Sequence, residues 1–367
     1  MWLERLAVGT VDVEYVLRSR AHQGLLSGLT PILPCAQRAR SPLQVGSDNA
    51  SPATLTLPKP GTTMKTAAFA AGFLLCFASA SAHAQLQSRP VPGRGVESFA
   101  FQSPSMGVRF SLNVGLPPGY KAGDGKKYPA LIVTDGDFVF GNVYESASTL
   151  SGAITPLFII SVGTSLDEGE AEHTRRRIYE FSPPGWDRQD KFGQAVEGYC
   201  KQFKSPEDRC TGGSGKFLAA IATEMIPLLA AKFPIDTAQL GLFGLSAGGF
   251  FTSWAIFQPN TPFKKYIISS PAMAYGRGEI FRQEAEYAKT HKDLAVGIYL
   301  ASGVLEAADS LLEGTGEIVS GMSHLAGMLS SRKYPGLKMT IEFHPGMGHA
   351  DVMGTSVVRG LRSLYAK

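Results

Sequence analysis

From residue 108 to the C-terminus, short apolar runs alternate with longer stretches in which apolar positions recur at helical spacing. This alternation is typical of βαβ units around a mostly parallel sheet. The later runs are apolar throughout, as expected of strands covered on both faces. The predicted strands are VRFSLNVGL, YPALIVT, LFIISV, QLGLFG, KYIISS, VGIYLA and LKMTIEF. The predicted helices occupy residues 217–232, 247–258, 278–290, 316–332 and 352–365. The pattern therefore predicts an α/β fold with helices on both faces of a mostly parallel central sheet.

One segment, residues 164–214, interrupts this alternation. It is polar, rich in Arg and Pro, and contains two cysteines and the aromatic residues Trp186, Phe192, Tyr199 and Phe203. Long connections in compact domains are usually either functional or disordered. Two interpretations stay open: an ordered excursion that covers a cleft, or a solvated decoration of the surface.

The N-terminal part of the chain follows a different pattern. Residues 64–85, MKTAAFAAGFLLCFASASAHAQ, contain a basic residue, a short apolar stretch and the sequence Ala-His-Ala. These are the three parts of a secretory signal peptide, in the required order. The apolar stretch is too short to span a bilayer. We therefore predict cleavage after Ala84, an exported protein, and no stable membrane insertion after cleavage.

Residues 1–63 precede this signal and show no sustained periodicity. Because a signal peptide acts from the N-terminus, we expect either that Met64 is the natural start or that the upstream segment is disordered. The mature chain would then comprise an N-terminal linker at 85–100 and one folded domain at 101–367, which includes the excursion.

The charge balance changes once residues 1–84 are set aside. The whole chain has 35 basic and 31 acidic residues, and loss of seven basic and four acidic residues leaves 28 and 27. A chain with balanced charge gives no electrostatic reason to expect nucleic-acid binding. We expect no nucleic-acid partner, and the sequence does not predict an oligomeric state.

The cysteine content changes in the same way, because Cys35 and Cys76 fall in the removed part and Cys200 and Cys210 remain. In an exported protein, two cysteines this close in sequence predict a disulfide rather than a metal site or a catalytic thiol. The sequence contains no clustered metal ligands, no phosphate-binding loop and no dinucleotide fingerprint. We therefore expect neither a metal nor a cofactor.

The sequence GLFGLSAGGF at 241–250 contains a G-x-S-x-G motif centred on Ser246. An apolar strand precedes the motif and a helical pattern follows it, which is the context of a nucleophile elbow. In that turn the serine has a strained backbone, and the flanking glycines avoid collisions with the turn. The N-terminus of the following helix favours an oxyanion. We predict that Ser246 is a nucleophile.

A serine nucleophile needs a base, and enzymes with this turn place an acid and then a histidine after the serine. Among the later histidines, His291 and His324 lie at the end of or inside predicted helices, whereas His344 closes the last predicted strand. His349 lies in the loop after that strand, from which a base can reach back over the sheet edge. We favour His349 as the base and keep His344 as the alternative.

The acid is expected in the loop that follows the strand VGIYLASG, which contains Glu306 and Asp309. Either carboxylate could hold the imidazole tautomer and stabilise the imidazolium. We favour Glu306 over Asp309, because it lies nearer the strand end.

An oxyanion hole needs two backbone donors, and the first is the amide of Ala247, directly after the nucleophile. The second is expected after an early strand, where YPALIVTDGDF carries an Asp-Gly turn. A backbone amide acts independently of its side chain. We therefore predict that Asp137, or else Gly136, supplies the second donor.

Together these segments resemble the esterase family of α/β-hydrolases that includes enterochelin and salmochelin esterases, S-formylglutathione hydrolases and mycolyltransferases. The resemblance extends from about residue 101 to the C-terminus. It rests on LPPGYKAGDGKKYPALIVTDGD, RRIYEFSPP, GLFGLSAGGF, SGVLE and GMGH. It implies an α/β-hydrolase fold, the triad Ser246, Glu306 and His349, and the oxyanion donors Asp137 and Ala247.

The same resemblance implies a substrate-binding role for Arg177, which matches the arginine of an Arg-x-x-Asp-aromatic-Thr-Pro segment that lies near the substrate in siderophore esterases. Glu180 and Ser182 replace the aspartate and the threonine of that segment. These replacements affect the expected specificity more than the expected chemistry.

The sequence thus predicts an exported serine hydrolase that cleaves carboxylic esters through an acyl-enzyme, with a small-molecule ester of siderophore type as the leading substrate. Two alternatives remain. An acyltransferase would use the same residues but exclude water from the acyl-enzyme, and a binding protein would keep the fold without the chemistry.

Overall fold

The computed structural model describes residues 95–367. The upstream segment at 1–63, the predicted signal peptide at 64–84, the first part of the predicted linker, and the cysteines at 35 and 76 lie outside the described residues.

A single eight-stranded sheet forms the centre of the described chain, in the order β1-β2-β4-β3-β5-β6-β7-β8. Strands β1 and β2 are antiparallel to their neighbours, and β4, β3, β5, β6, β7 and β8 are mutually parallel. The strands are β1 Val96–Gln102, β2 Arg109–Gly115, β3 Tyr128–Val133, β4 Phe158–Gly163, β5 Ile235–Leu245, β6 Phe263–Ser269, β7 Gly297–Gly303 and β8 Lys338–His344. The mostly parallel sheet is as predicted, and every predicted strand is present.

Strand β1 is the one strand of the described sheet that the sequence pattern does not predict. Its residues alternate between exposed and half-buried positions, and it pairs with β2 at the sheet edge. The prediction depends on fully apolar runs, which mark strands covered on both faces. An edge strand with only one half-buried face lacks that signal, so the sheet begins before residue 101.

Helices cover both faces of the sheet. They are α1 Gly136–Thr149, α2 Glu170–Phe181, α3 Lys191–Gln202, α4 Ser214–Lys232, α5 Ala247–Ala255, α6 Glu279–Thr290, α7 Ile318–Arg332 and α8 Val352–Tyr365. Helices α4 to α8 match the five predicted ones. The sequence pattern predicts only a turn where α1 begins, and α2 and α3 lie in the excursion, where few apolar positions mark a helix.

The hydrophobic core is divided by the sheet into two layers. On one face, α1 and α8 pack together over the central strands, with Val143 and Leu361 fully buried. On the other face, α4, α5, α6 and α7 surround a larger aromatic core that includes Phe217 and Phe251. The predicted arrangement of helices on both faces is therefore confirmed.

Helix α4 is the one helix among residues 95–367 that is long and apolar enough to cross a membrane. Its residues Phe217, Ile221 and Met225 are fully buried in the larger core layer. A buried core helix shares the length and composition of a membrane span, and α4 occupies the position of a core helix in this fold.

The excursion at 164–214 is ordered and contains α2 and α3. Cys200 and Cys210 form the predicted disulfide, and both are buried. The ring of Trp186 lies 5.3 Å from that of Tyr275, and the Lys191 ammonium donates to the carbonyl of Gly314 at 3.0 Å. The excursion therefore packs against the loops that follow β6 and β7.

Candidate active site

The three predicted triad residues follow the carboxyl ends of parallel strands. Ser246 comes directly after β5, Glu306 lies in the 3₁₀ turn Val304–Ala308 after β7, and His349 lies in the loop between β8 and α8. Ligands of open α/β sheets bind at this edge. The strand order therefore brings together residues that are far apart in sequence.

Ser246 has the strained backbone that a nucleophile elbow requires. Its φ is 60° and its ψ is −118°, a conformation that costs a non-glycine residue on the order of 1–3 kcal/mol. Neighbouring backbone holds it there: its N–H donates to the Ser269 carbonyl at 3.0 Å, and its carbonyl accepts from Phe250 at 2.9 Å and Ala272 at 3.1 Å.

The glycines on either side of Ser246 allow β5 and α5 to approach closely. A Cβ on Gly244 would lie 2.0 Å from the carbonyl oxygen of Gly248. A Cβ on Gly248 would lie 2.7 Å from Thr134 Oγ1 and 3.1 Å from Asp135 Oδ2. The elbow therefore packs directly against the turn that follows β3.

Glu306 is 1% exposed and has three partners. Its Oε2 accepts from the Ser270 hydroxyl at 2.8 Å and from the Gly303 amide at 2.7 Å, and its Oε1 contacts His349 Nδ1. When Nδ1 donates to a carboxylate, Nε2 is left as the basic nitrogen of the neutral imidazole. Glu306 thus fixes the orientation of the His349 ring.

The alternative acid and base have other partners. Asp309 is exposed and accepts the amides of Leu311 and Leu312 at 2.8 Å each, which lowers its carboxyl pKa. His344 is buried, its Nε2 lies 3.2 Å from the Tyr299 hydroxyl, and burial lowers its pKa. Asp309 thus caps the following turn, and His344 belongs to the end of β8.

The two predicted oxyanion donors lie in the first turns of two helices. Ala247 begins α5, and Asp137 is the second residue of α1. The N–H groups of a first helical turn have no intrahelical acceptor, and they favour an anion. Gly136 packs so closely on Gly163 that a Cβ there would lie 2.8 Å from its Cα, which fixes where α1 begins.

Arg177, predicted to bind substrate, is engaged with the protein. Its Nε donates to Asp135 Oδ1 at 2.6 Å, and one terminal nitrogen donates to Asp135 Oδ2 at 3.3 Å and to the Leu245 carbonyl at 3.2 Å. Asp135 is 7% exposed, so its carboxylate needs this partner. The Arg177 side chain as a whole is 28% exposed.

Glu180, which stands at the position of the family's aspartate, faces away from Arg177. It pairs with Arg176, whose Nε donates to it at 2.8 Å. Burial raises the pKa of Glu180 to about 7, although the Arg176 guanidinium opposes this. Consecutive arginines of α2 therefore serve two different carboxylates.

Sequence reasoning missed three residues around this site. Ser270 binds Glu306, His173 Nε2 lies 3.9 Å from Asp135 Oδ1, and Tyr275 is buried near Arg177. Burial raises the pKa of Tyr275 to about 12, and Arg177 opposes that rise. Ser270 directly follows β6, which is the only sequence signal that could have indicated it.

Within residues 95–367, no group of three or more His, Cys, Asp or Glu side chains is placed to hold a metal ion. The chemistry available at this edge of the sheet is that of a serine hydroxyl, an imidazole, a buried carboxylate and two helix N-termini.

Among the relatives that sequence comparison with known proteins finds, two are named as esterases. The chain is 26% identical over 170 residues to a siderophore enterobactin esterase of Emericella nidulans, covering 44% of this chain and 52% of the relative. It is 28% identical over 155 residues to an apo-salmochelin esterase of Escherichia coli, covering 41% and 43%. The chain thus spans about half the length of these relatives.

The fold has a solved counterpart in the BES protein of Bacillus cereus. The two superpose with a TM-score of 0.62 at 24% identity, covering 77% of this chain and 99% of that protein. A family model described as "Putative esterase" matches residues 103–306, which is more than half of the chain and includes both Ser246 and Glu306. The chain therefore belongs to this esterase family and has the α/β-hydrolase fold.

Proposed function

We propose that this protein is an exported serine hydrolase that cleaves carboxylic esters through an acyl-enzyme. The observation that carries the proposal is the pairing of His349 Nδ1 with the fully buried Glu306 carboxylate, at the same sheet edge as the strained Ser246. A buried carboxylate that contacts an imidazole orients the ring and stabilises its charged form.

In the proposed reaction, His349 Nε2 accepts the proton of the Ser246 hydroxyl while Oγ forms a bond to the ester carbonyl carbon. The carbonyl oxygen becomes an oxyanion, which the N–H groups of Ala247 and Asp137 stabilise. As the intermediate collapses, the C–O bond to the alcohol breaks and the imidazolium protonates the departing oxygen. Water, deprotonated by the same nitrogen, then forms a bond to the acyl carbon, the bond between that carbon and Oγ breaks, and the imidazolium returns its proton to Oγ, which releases the acid and restores the serine.

Glu306 stabilises the imidazolium that forms in each half of this reaction. The Oε2 of Glu306 accepts from the Gly303 amide and from the Ser270 hydroxyl. These bonds leave Oε1 in contact with His349 Nδ1, which favours the tautomer in which Nε2 can accept a proton.

For the substrate we propose a siderophore-type ester. The support is the resemblance of the motifs and the names of the two relatives, an enterobactin esterase and a salmochelin esterase. Export is supported by the signal-like sequence at 64–85 and by the Cys200–Cys210 disulfide, because disulfides persist mainly in oxidising compartments. A mature N-terminus at Gln85 in the secreted protein would agree with this.

Labelling with a fluorophosphonate probe tests the nucleophile. We expect the purified protein to gain one covalent label, located at Ser246 by peptide mass spectrometry, because the probe reacts with serines activated by a neighbouring base. Ser246→Ala should abolish labelling, whereas Ser323→Ala, at an exposed serine of α7, should label like the wild type. An unlabelled wild type, or a label elsewhere, would refute the proposal.

Turnover of p-nitrophenyl esters and of a ferric siderophore, with and without added acceptor alcohols, then defines the reaction class. A hydrolase releases free acid at a rate that the acceptors barely change. Acyl transfer to the alcohol as the main product would favour the acyltransferase alternative.

A further inference from the structure

The guanidinium of Arg177 joins two turns that are far apart in sequence. On one side it holds both carboxylate oxygens of Asp135, in the turn between β3 and α1, and on the other it binds the Leu245 carbonyl at the end of β5. The preceding arginine, Arg176, points elsewhere and pairs with Glu180. The contact is therefore specific to one face of α2.

The two residues that Arg177 binds lie at the same distance in sequence from the proposed oxyanion donors. Leu245 lies two residues before Ala247, and Asp135 lies two residues before Asp137. Asp135 directly precedes α1, and Leu245 is separated from the start of α5 by Ser246 alone. The Arg177 side chain thus links the two turns that carry the donors.

Each of the two turns contains a residue whose backbone conformation is unfavourable without supporting contacts. Asp135 has φ 62° and Ser246, next to Leu245, has φ 60°, and neither is glycine. Residues in such conformations persist only when their surroundings fix them. Asp135 is also packed against the elbow, since its Oδ2 would lie 3.1 Å from a Cβ on Gly248.

We propose that the Arg177–Asp135 pair, defined here as the oxyanion clamp, is a positioning element that fixes the distance between the two oxyanion donors, and that Arg177 is not a ligand for an anionic group of the substrate. This inference rests on the proposed function. Oxyanion stabilisation depends on donors that are preorganised before the charge develops. The clamp supplies that preorganisation, and its guanidinium is already committed to protein acceptors.

The clamp is not the only contact that holds the turn after β3. The turn after β3 is also held by the hydrogen bond from Phe138 N to the Asp135 carbonyl at 3.1 Å and by the contact of Gly136 with Gly163. Loss of the clamp should therefore loosen the geometry of the hole while the sheet and helices remain.

The test compares Arg177→Gln, Asp135→Asn and the double variant with the wild type. The substrates are p-nitrophenyl pentanoate and p-nitrophenyl hydrogen glutarate, whose acyl chains have the same length and differ in a terminal carboxylate. We expect kcat to fall about 10- to 100-fold on both esters, with KM within about twofold of the wild type. The rate of fluorophosphonate labelling should fall in parallel, because the phosphonyl oxygen occupies the same hole.

Because the pair acts as one unit, the double variant should lose no more activity than either single variant. Arg175→Gln provides the matched control, since this arginine of the same helix binds Glu172 and the Phe203 carbonyl. It should keep the wild-type kcat. Arg177→Lys, which keeps the charge but cannot bridge both turns, should lose kcat to an intermediate degree and remains informative if the glutamine variant does not fold.

A loss confined to the anionic ester and expressed in KM would overturn the clamp and assign Arg177 to substrate binding. Folded variants with unchanged kcat on both esters would also overturn it. A wild-type protein that the probe does not label would instead refute the proposed function, and the clamp with it.

Discussion

Glu306 shows how much the role of a residue depends on its neighbours. It is a carboxylate with three hydrogen-bond partners and almost no solvent contact. Asp309, three residues later, is exposed and bonded to the backbone of its own turn. The two acids are alike in sequence, but it is Glu306 whose carboxylate contacts His349 Nδ1 directly.

Glu306→Gln should lower kcat about 10³- to 10⁴-fold with little change in KM, because the amide no longer stabilises the imidazolium or fixes the tautomer. Asp309→Asn provides the matched control and should keep most of the activity. Steady-state hydrolysis of a p-nitrophenyl ester measures both. A greater loss in the Asp309 variant than in the Glu306 variant would show that the assignment is wrong.

The order of the candidate residues could be predicted because each follows a strand that is recognisable by its apolar run. The supporting residues could not. His173, Ser270 and Tyr275 stand in no motif, and their positions beside Asp135, Glu306 and Arg177 arise only when separate elements meet. Likewise, the partner of Arg177 is 42 residues away in sequence.

At the scale of elements, the elbow depends on the close approach of β5 and α5. Gly244 lies under the carbonyl of Gly248, and the Thr252 hydroxyl also donates to that carbonyl at 2.8 Å. A side chain at Gly244 would have to move backbone atoms on both sides of Ser246. The turn between β5 and α5 is therefore rigid, and its shape requires glycine at positions 244 and 248.

Gly244→Ala should destabilise the protein by about 3 kcal/mol or more, because the new methyl group overlaps backbone that cannot move aside. Gly141→Ala provides the opposite case, since that glycine lies inside α1 and an added methyl group there would meet nothing within 4 Å. It should stabilise the protein by about 0.5–1 kcal/mol. Urea denaturation of both variants measures the difference, and equal stabilities would contradict the packing argument.

The helices that the sequence failed to predict share a physical reason. Half of the residues of helix α2 are charged, and its buried apolar positions are Ile178 and Phe181. Its order comes largely from ion pairs and from contacts with other elements, which leave no periodic pattern in the sequence. Helix α1 begins at an Asp-Gly pair, which by itself is typical of a turn.

At the scale of the whole described molecule, the excursion is a second layer over the loops that follow the sheet. The disulfide joins the end of α3 to the segment before α4, and Trp186 and Phe192 pack on Tyr275. Trp186, Tyr275 and both cysteines belong to the larger core layer, but residues 164–214 contribute no strand to the sheet. We therefore expect the excursion to loosen before the sheet does.

Replacing both cysteines with serine should lower the free energy of unfolding by about 2–3 kcal/mol, because the disulfide restricts a short loop in the unfolded chain. Hydrogen exchange followed by mass spectrometry should show the loss of protection concentrated in residues 164–214. The wild type under reducing conditions should behave in the same way, and the double variant should not respond to reductant. A uniform loss of protection across the sheet would contradict this expectation.

Local periodicity and the ends of the strands specify the class of the fold, the positions of the parallel strands and the order of Ser246, Glu306 and His349 along the chain. The tertiary structure adds the order of the excursion and the partners of these side chains, such as the buried carboxylate on His349 and the pairing of Arg177 with Asp135. Partners depend on which elements become neighbours and on which groups lose water. No local pattern of residues contains that information.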